Sequence, residues 1–142
     1  MKKELVFPYT KYLVSPRHAK KPRYVYRPVV AIELSFGHES VVFDALVDSG
    51  ADECTFPGWI AKSLGKDVHR AKERIFAGIG GSVLSYCHKT RLALEGTAFE
   101  TNVYYSHEWD DMPFGLLGQA GFFSHFRISF CFQDKSLTIA QW

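Results

Sequence analysis

From residue 29 onward, apolar and polar positions tend to alternate with a period of two, the spacing of half-buried strands. Residues 29–36 and 40–47 are two runs rich in β-branched side chains, and Gly37-His38-Glu39 between them reads as a hairpin turn. Thr55-Phe56-Pro57 continues extended. The period then changes over 58–64, where Trp59, Ile60 and Leu64 form one apolar face and Gly65 stops a short helix. Strand signals return at Arg74-Ile75-Phe76 and at Val83-Leu84. Residues 90–94 and 99–105 are expected to pair across Glu95-Gly96-Thr97. An acidic, aromatic loop follows at 107–113, then a second short helix at 119–126. Residues 128–132 and 137–139 form a last hairpin around Asp134-Lys135. Many short strands with one or two short helices predict an all-β fold, a small closed β-barrel.

At 142 residues the chain is expected to be one domain, large enough to bury a core. Residues 1–27 differ from the rest. They carry Pro8, Pro16 and Pro22 together with Lys2, Lys3, Lys11, Arg17, Lys20, Lys21, Arg23 and Arg27. This reads as a basic N-terminal arm on a domain spanning 28–142, with Tyr9, Tyr12, Leu13 and Val14 favouring packing on that domain. The formal charge of +2 is too small to argue for a nucleic-acid partner. No apolar run approaches bilayer length, and Met1-Lys2-Lys3-Glu4 lacks the apolar core of a signal peptide. A cytoplasmic protein without a membrane partner is the expectation. Cys54, Cys87 and Cys131 do not read as a disulfide framework, and the six histidines show no metal-ligand spacing. No metal or cofactor is expected.

Three landmarks carry chemistry. In Ala45-Leu46-Val47-Asp48-Ser49-Gly50-Ala51-Asp52-Glu53, an apolar strand runs into a lone carboxylate and then a turn of small residues. Taken alone, Asp48 could simply cap a turn. In Ile75-Phe76-Ala77-Gly78-Ile79-Gly80-Gly81-Ser82-Val83, strand-like residues flank a glycine-rich tip. No Lys-Ser/Thr follows, so this is no phosphate loop, and alone it is a hairpin turn. Phe114-Gly115-Leu116-Leu117-Gly118, leading into Gln119-Ala120-Gly121-Phe122-Phe123, reads alone as a core strand before a helix.

In this order and spacing, the three landmarks resemble the retropepsin-like aspartic peptidases, the single-lobed relatives of pepsin, over about residues 29–139. Gly78-Ile79-Gly80-Gly81 is similar to the flap of the viral members, while the terminal hairpin looks more like the cellular and bacterial ones. Ser49 stands where many members carry Thr. Gln119 stands where viral members often carry an Arg that pairs with acids near the active-site turn, which leaves the charge partner of Asp52 open. The N-terminal arm is long, with no recognisable short dimer strand. The resemblance implies a closed barrel of the retropepsin type and an aspartic endopeptidase acting on a peptide or protein without a cofactor.

Peptide hydrolysis by aspartates needs two carboxyls sharing one proton, since like charges that close cannot both ionise. The chain holds one Asp-Ser-Gly element. Asp44 lies about 13 Å from Asp48 by strand rise, and Asp110 and Asp111 lack the glycine turn. A C2 homodimer that sets Asp48 against its symmetry mate supplies the pair. On the resemblance, Asp48, Ser49 and Gly50 are the catalytic element, with Ser49 bonding across the axis. Gly50, Ala51 and Asp52 would meet the substrate backbone. Gly78, Ile79 and Gly80 would cover it, and Leu116 and Leu117 would lie beside the dyad. Two alternatives remain beside this reading: a catalytically silent peptide-binding or dimerisation module on the same fold, and a barrel that binds a small ligand.

Overall fold

Alternating runs become strands here because every second side chain has a core to enter. In the computed structural model, which describes residues 3–16, 18–78 and 81–142, the chain opens with β1 (Glu4–Pro8), β2 (Thr10–Leu13) and β3 (Tyr24–Arg27). The expected first hairpin follows as β4 (Val29–Phe36) and β5 (Glu39–Val47), turned at Gly37 with φ of 59°. Val30, Ile32 and Leu34 of β4 are buried, while Ala31 and Glu33 between them face solvent. Then come β6 (Cys54–Pro57), helix α1 (Gly58–Ser63), β7 (Lys72–Gly78), β8 (Gly81–Leu94) and β9 (Thr97–Ser106). A 3-10 turn (His107–Trp109) leads to β10 (Gly115–Leu117), β11 (Phe126–Cys131) and β12 (Ser136–Gln141).

One sheet runs in the order β4-β5-β10-β6-β9-β8-β7, and β4 also pairs with β8. That last pairing closes six strands into a barrel and leaves β7 outside, hairpinned onto β8. The expected closed β-barrel is therefore present. Its interior is filled by Ile32, Leu34, Phe56, Leu92, Leu94, Val103, Tyr105 and Leu117. The buried Tyr105 hydroxyl is satisfied by Thr90 Oγ1 at 2.8 Å, and the burial raises its pKa. Phe99, Phe122 and Phe126 pack as an aromatic cluster at one end.

Helix α1 buries Ile60 and Ala61 and lacks a cap from its own flank. Asp110 Oδ1, far along the chain, accepts from the Trp59 N–H at 3.0 Å instead. Among the described residues no helix is long and apolar enough to cross a membrane.

A second sheet has the order β1-β12-β11, with Leu5 opposite Ile139 and Phe7 opposite Leu137. Strands β2 and β3 pair with each other, and Tyr12 of β2 meets Phe114 edge-on at 5.8 Å. The arm expected over 1–27 thus supplies three strands.

The helix expected over 119–126 does not form. Residues 121–125 are a series of turns, with Phe123 N–H bonded to the Gly118 carbonyl and Ser124 N–H to that of Gln119. Gly121 sits at φ of 103°, outside the helical region, and breaks the run. Ahead of it, Gln119 and Ala120 are held by the carbonyls of Ala51 and Asp52. The fold has one α-helix and one 3-10 turn among the described residues.

Candidate active site

Asp48 follows β5 directly. Strand β10 lies parallel to β5, with Leu117 opposite Val47, so the chain leaves the sheet at a fixed point. The Asp48 N–H donates to the Leu117 carbonyl at 3.0 Å. Its own Oδ1 accepts from the Gly50 N–H at 2.9 Å, and its carbonyl from the Ala51 N–H at 3.2 Å. The carboxylate therefore has its orientation set by the turn that follows it.

That turn is laced to residues 117–120. The N–H groups of Gln119 and Ala120 donate to the carbonyls of Ala51 and Asp52, each at 2.9 Å. The Gln119 side-chain amide donates to the Ser49 carbonyl at 2.7 Å. Such close approach requires Gly118, since a Cβ there would meet the carbonyl oxygens of Glu53 and Ala51. Gln119 thus holds the turn by a neutral hydrogen bond.

Beside the turn opens a cleft of about 480 Å³. Gly50, Ala51, Asp52 and Glu53 line one side, with Thr55 of β6 and Leu116 of β10. Phe76 of β7, Gly81 and Val83 of β8, and Trp109 and Met112 of the loop after β9 complete it. The lining is predominantly apolar, with acids at one edge, which suits an apolar side chain on a polar backbone.

The basic partner of the acidic turn comes from β7. Arg74 Nη1 lies 2.6 Å from Glu53 Oε1, and the guanidinium rests 4.7 Å from the centre of the Phe76 ring. Hydrogen bonds to the Tyr104 hydroxyl and to Glu53 raise the Arg74 pKa, while burial raises that of Tyr104. The carboxylate of Asp52 has no ion-pair partner among the described residues.

Of the residues expected at the site, the structure brings Gly50, Ala51, Asp52 and Leu116 to one cleft. Asp48 is half-buried next to it, and Ser49 is exposed. Leu117 is fully buried and supports the turn from below. Gly78 pairs with Gly81 to end the β7–β8 ladder. Ile79 and Gly80 lie outside the described residues. Asp44 is exposed on β5, and Asp110 is engaged by Trp59 and His107. Thr55, Phe76, Val83, Trp109 and Met112 were not singled out by sequence reasoning. Phe76 and Val83 flank the glycine run, which was their available signal. Among the described residues no group of three His, Cys, Asp or Glu side chains could hold a metal ion.

No family model matches the sequence, and no curated protein matches it. Among solved structures, a retropepsin-like aspartic protease from Rickettsia conorii matches over 96% of this chain and 98% of that one, at 18% identity and a TM-score of 0.59. The chain has the retropepsin fold. The EIAV protease complexed with the inhibitor HBY-793 matches over 75% of this chain and 88% of that one, at 18% identity and a TM-score of 0.49. The retropepsin fold here comprises the six-stranded barrel, the outer β7–β8 hairpin and the sheet made by β1, β11 and β12.

Proposed function

We propose that the protein is an aspartic endopeptidase, active as a homodimer in which Asp48 and its symmetry mate form the dyad. The observation that carries this reading is the setting of Asp48. It stands on a turn fixed by Leu117, Gln119 and Ala120, at the edge of an apolar cleft. The retropepsin fold supports it.

One carboxylate takes a proton from a water while the other, protonated, polarises the scissile carbonyl. The pair titrates as a unit. Ser49, exposed on the turn, is free to bond across the axis. An extended peptide lies across the cleft, with its backbone at Gly50 to Asp52 and an apolar side chain against Leu116, Val83 and Trp109. Gly78, Ile79 and Gly80 cover the bound peptide. The protein acts on peptides or proteins in the cytoplasm, without a cofactor.

The test is Asp48→Asn against a peptide library, with and without pepstatin. Wild type is expected to cleave and to be inhibited, and the variant to be inactive while keeping its fold. A wild type that binds peptides without cleaving them would instead identify a silent binding module.

A further inference from the structure

We propose that Glu108 is a positioning residue that ties the two walls of the cleft together and so sets its fit to a large apolar substrate side chain. The substrate part rests on the peptidase reading.

Strand β8 pairs with β9 up to Tyr86 opposite Tyr105. One residue past Tyr105, the β9 chain ends at Ser106 and curls into the 3-10 turn. Leu84, two residues beyond Tyr86 on β8, has therefore lost the backbone that would have continued the ladder. Two side chains replace it. Glu108 Oε2 accepts from the Leu84 N–H at 2.8 Å, and Ser106 Oγ donates to the Leu84 carbonyl at 2.7 Å. Ser106 Oγ also accepts from the Glu108 N–H at 3.2 Å, capping the turn that carries the carboxylate.

The neighbours of these residues give the tie its consequence. Val83 adjoins Leu84, Trp109 adjoins Glu108, and both line the cleft. The loop is itself anchored to helix α1, because Asp110 Oδ1 accepts from the Trp59 N–H at 3.0 Å, while Asp110 Oδ2 braces His107 Nδ1 within the loop at 2.8 Å. Glu108 passes that anchorage on to β8. Without it, the Val83 wall is held at this point by β7, which lies outside the barrel, and by the single Ser106 hydroxyl.

Glu108 touches no reacting atom on this reading. Its loss should weaken the binding of a peptide that fills the cleft, and leave the chemical step alone. A hydrogen bond to an exposed carboxylate corresponds to about a fivefold effect.

The experiment compares wild type, Glu108→Ala and Glu108→Gln. Amide exchange at Leu84 is read by NMR, and steady-state kinetics use a peptide pair differing only by Phe or Ala at the position that enters the cleft. Glu108→Ala should speed Leu84 exchange and raise KM for the Phe peptide about fivefold at unchanged kcat, with little effect on the Ala peptide. Glu108→Gln keeps an acceptor oxygen and should restore both readouts. Unchanged Leu84 exchange in Glu108→Ala overturns the tie. Faster exchange with equal KM for both peptides overturns its role in fit. A glutamine variant that behaves like alanine overturns the acceptor geometry. If wild type cleaves nothing, the peptidase reading fails, and Leu84 exchange alone then decides for or against the tie.

Discussion

The side-chain amide of Gln119 donates to the carbonyl of Ser49 at 2.7 Å, across 70 positions of sequence. It fixes the Ser49–Gly50 peptide unit through its carbonyl, and the N–H of that same unit donates to the Asp48 carboxylate. Gln119→Ala should therefore cost about 1 kcal/mol of stability and lower kcat disproportionately. Gln119→Glu, which brings an acceptor against an acceptor, should be worse on both counts. Urea midpoints and kcat for the three proteins check this. A kcat that follows stability in lockstep would deny the contact any role in aiming Asp48.

Gly118→Ala should be among the most damaging single changes in the chain. The new methyl would press on the backbone of Glu53 and Ala51, which no side-chain rotation can relieve. A loss of about 2–4 kcal/mol is expected, measurable as a drop in the denaturant midpoint. Gly37→Ala makes a useful contrast, since its cost arises from φ of 59° in open space and should be smaller.

Burial pushes the Cys54 thiol from 9.0 up to about 12, and burial raises the Tyr105 hydroxyl in the same direction. Both groups keep their protons in the folded chain at a pH where the unfolded chain releases them. Their contribution is intact below about pH 9 and is lost as pH rises toward the folded values. The urea midpoint should thus decline above that point, and Cys54→Ala should remove part of the slope. In parallel, the exposed Cys131 should react with a thiol reagent at mildly alkaline pH while Cys54 resists until unfolding. Equal labelling rates would contradict the assignment.

If each chain supplies half of the dyad, specific activity must fall on dilution through the dimer dissociation constant. A dilution series paired with analytical ultracentrifugation tests this directly. Constant specific activity in a monomeric sample would refute the shared site.

The hairpins were legible because turn and period agree locally. Glu95-Gly96, with φ of 46° and 82°, separates β8 from β9 where the sequence predicts it. The failure at 119–126 has a different origin. Phe122, Phe123 and Phe126 have helical spacing, but Gly121 at φ of 103° breaks the run, in a segment pinned to Ala51 and Asp52, nearly 70 residues away. The same limit hid β1, whose partner β12 is at the other end of the chain, and the pairing of Arg74 with Glu53. Asp48 could be singled out because strand, acid and small-residue turn are contiguous. Trp109 and Met112 could not, because the curl at Ser106 that swings them to the cleft depends on tertiary contacts with β8 and α1.

Strand β10 is only three residues long, yet it is wedged between β5 and β6, both made far earlier in the chain. This arrangement sets a schedule. Until Leu117 arrives, the Asp48 N–H lacks its acceptor. Until Gln119 and Ala120 follow, the turn lacks the scaffold that shapes it. Contacts across so much sequence close late, after the local hairpins. The Asp48 turn can therefore take its shape only once residues 117–120 have been made and docked. On the peptidase reading, a growing chain would carry its aspartate unaimed until then.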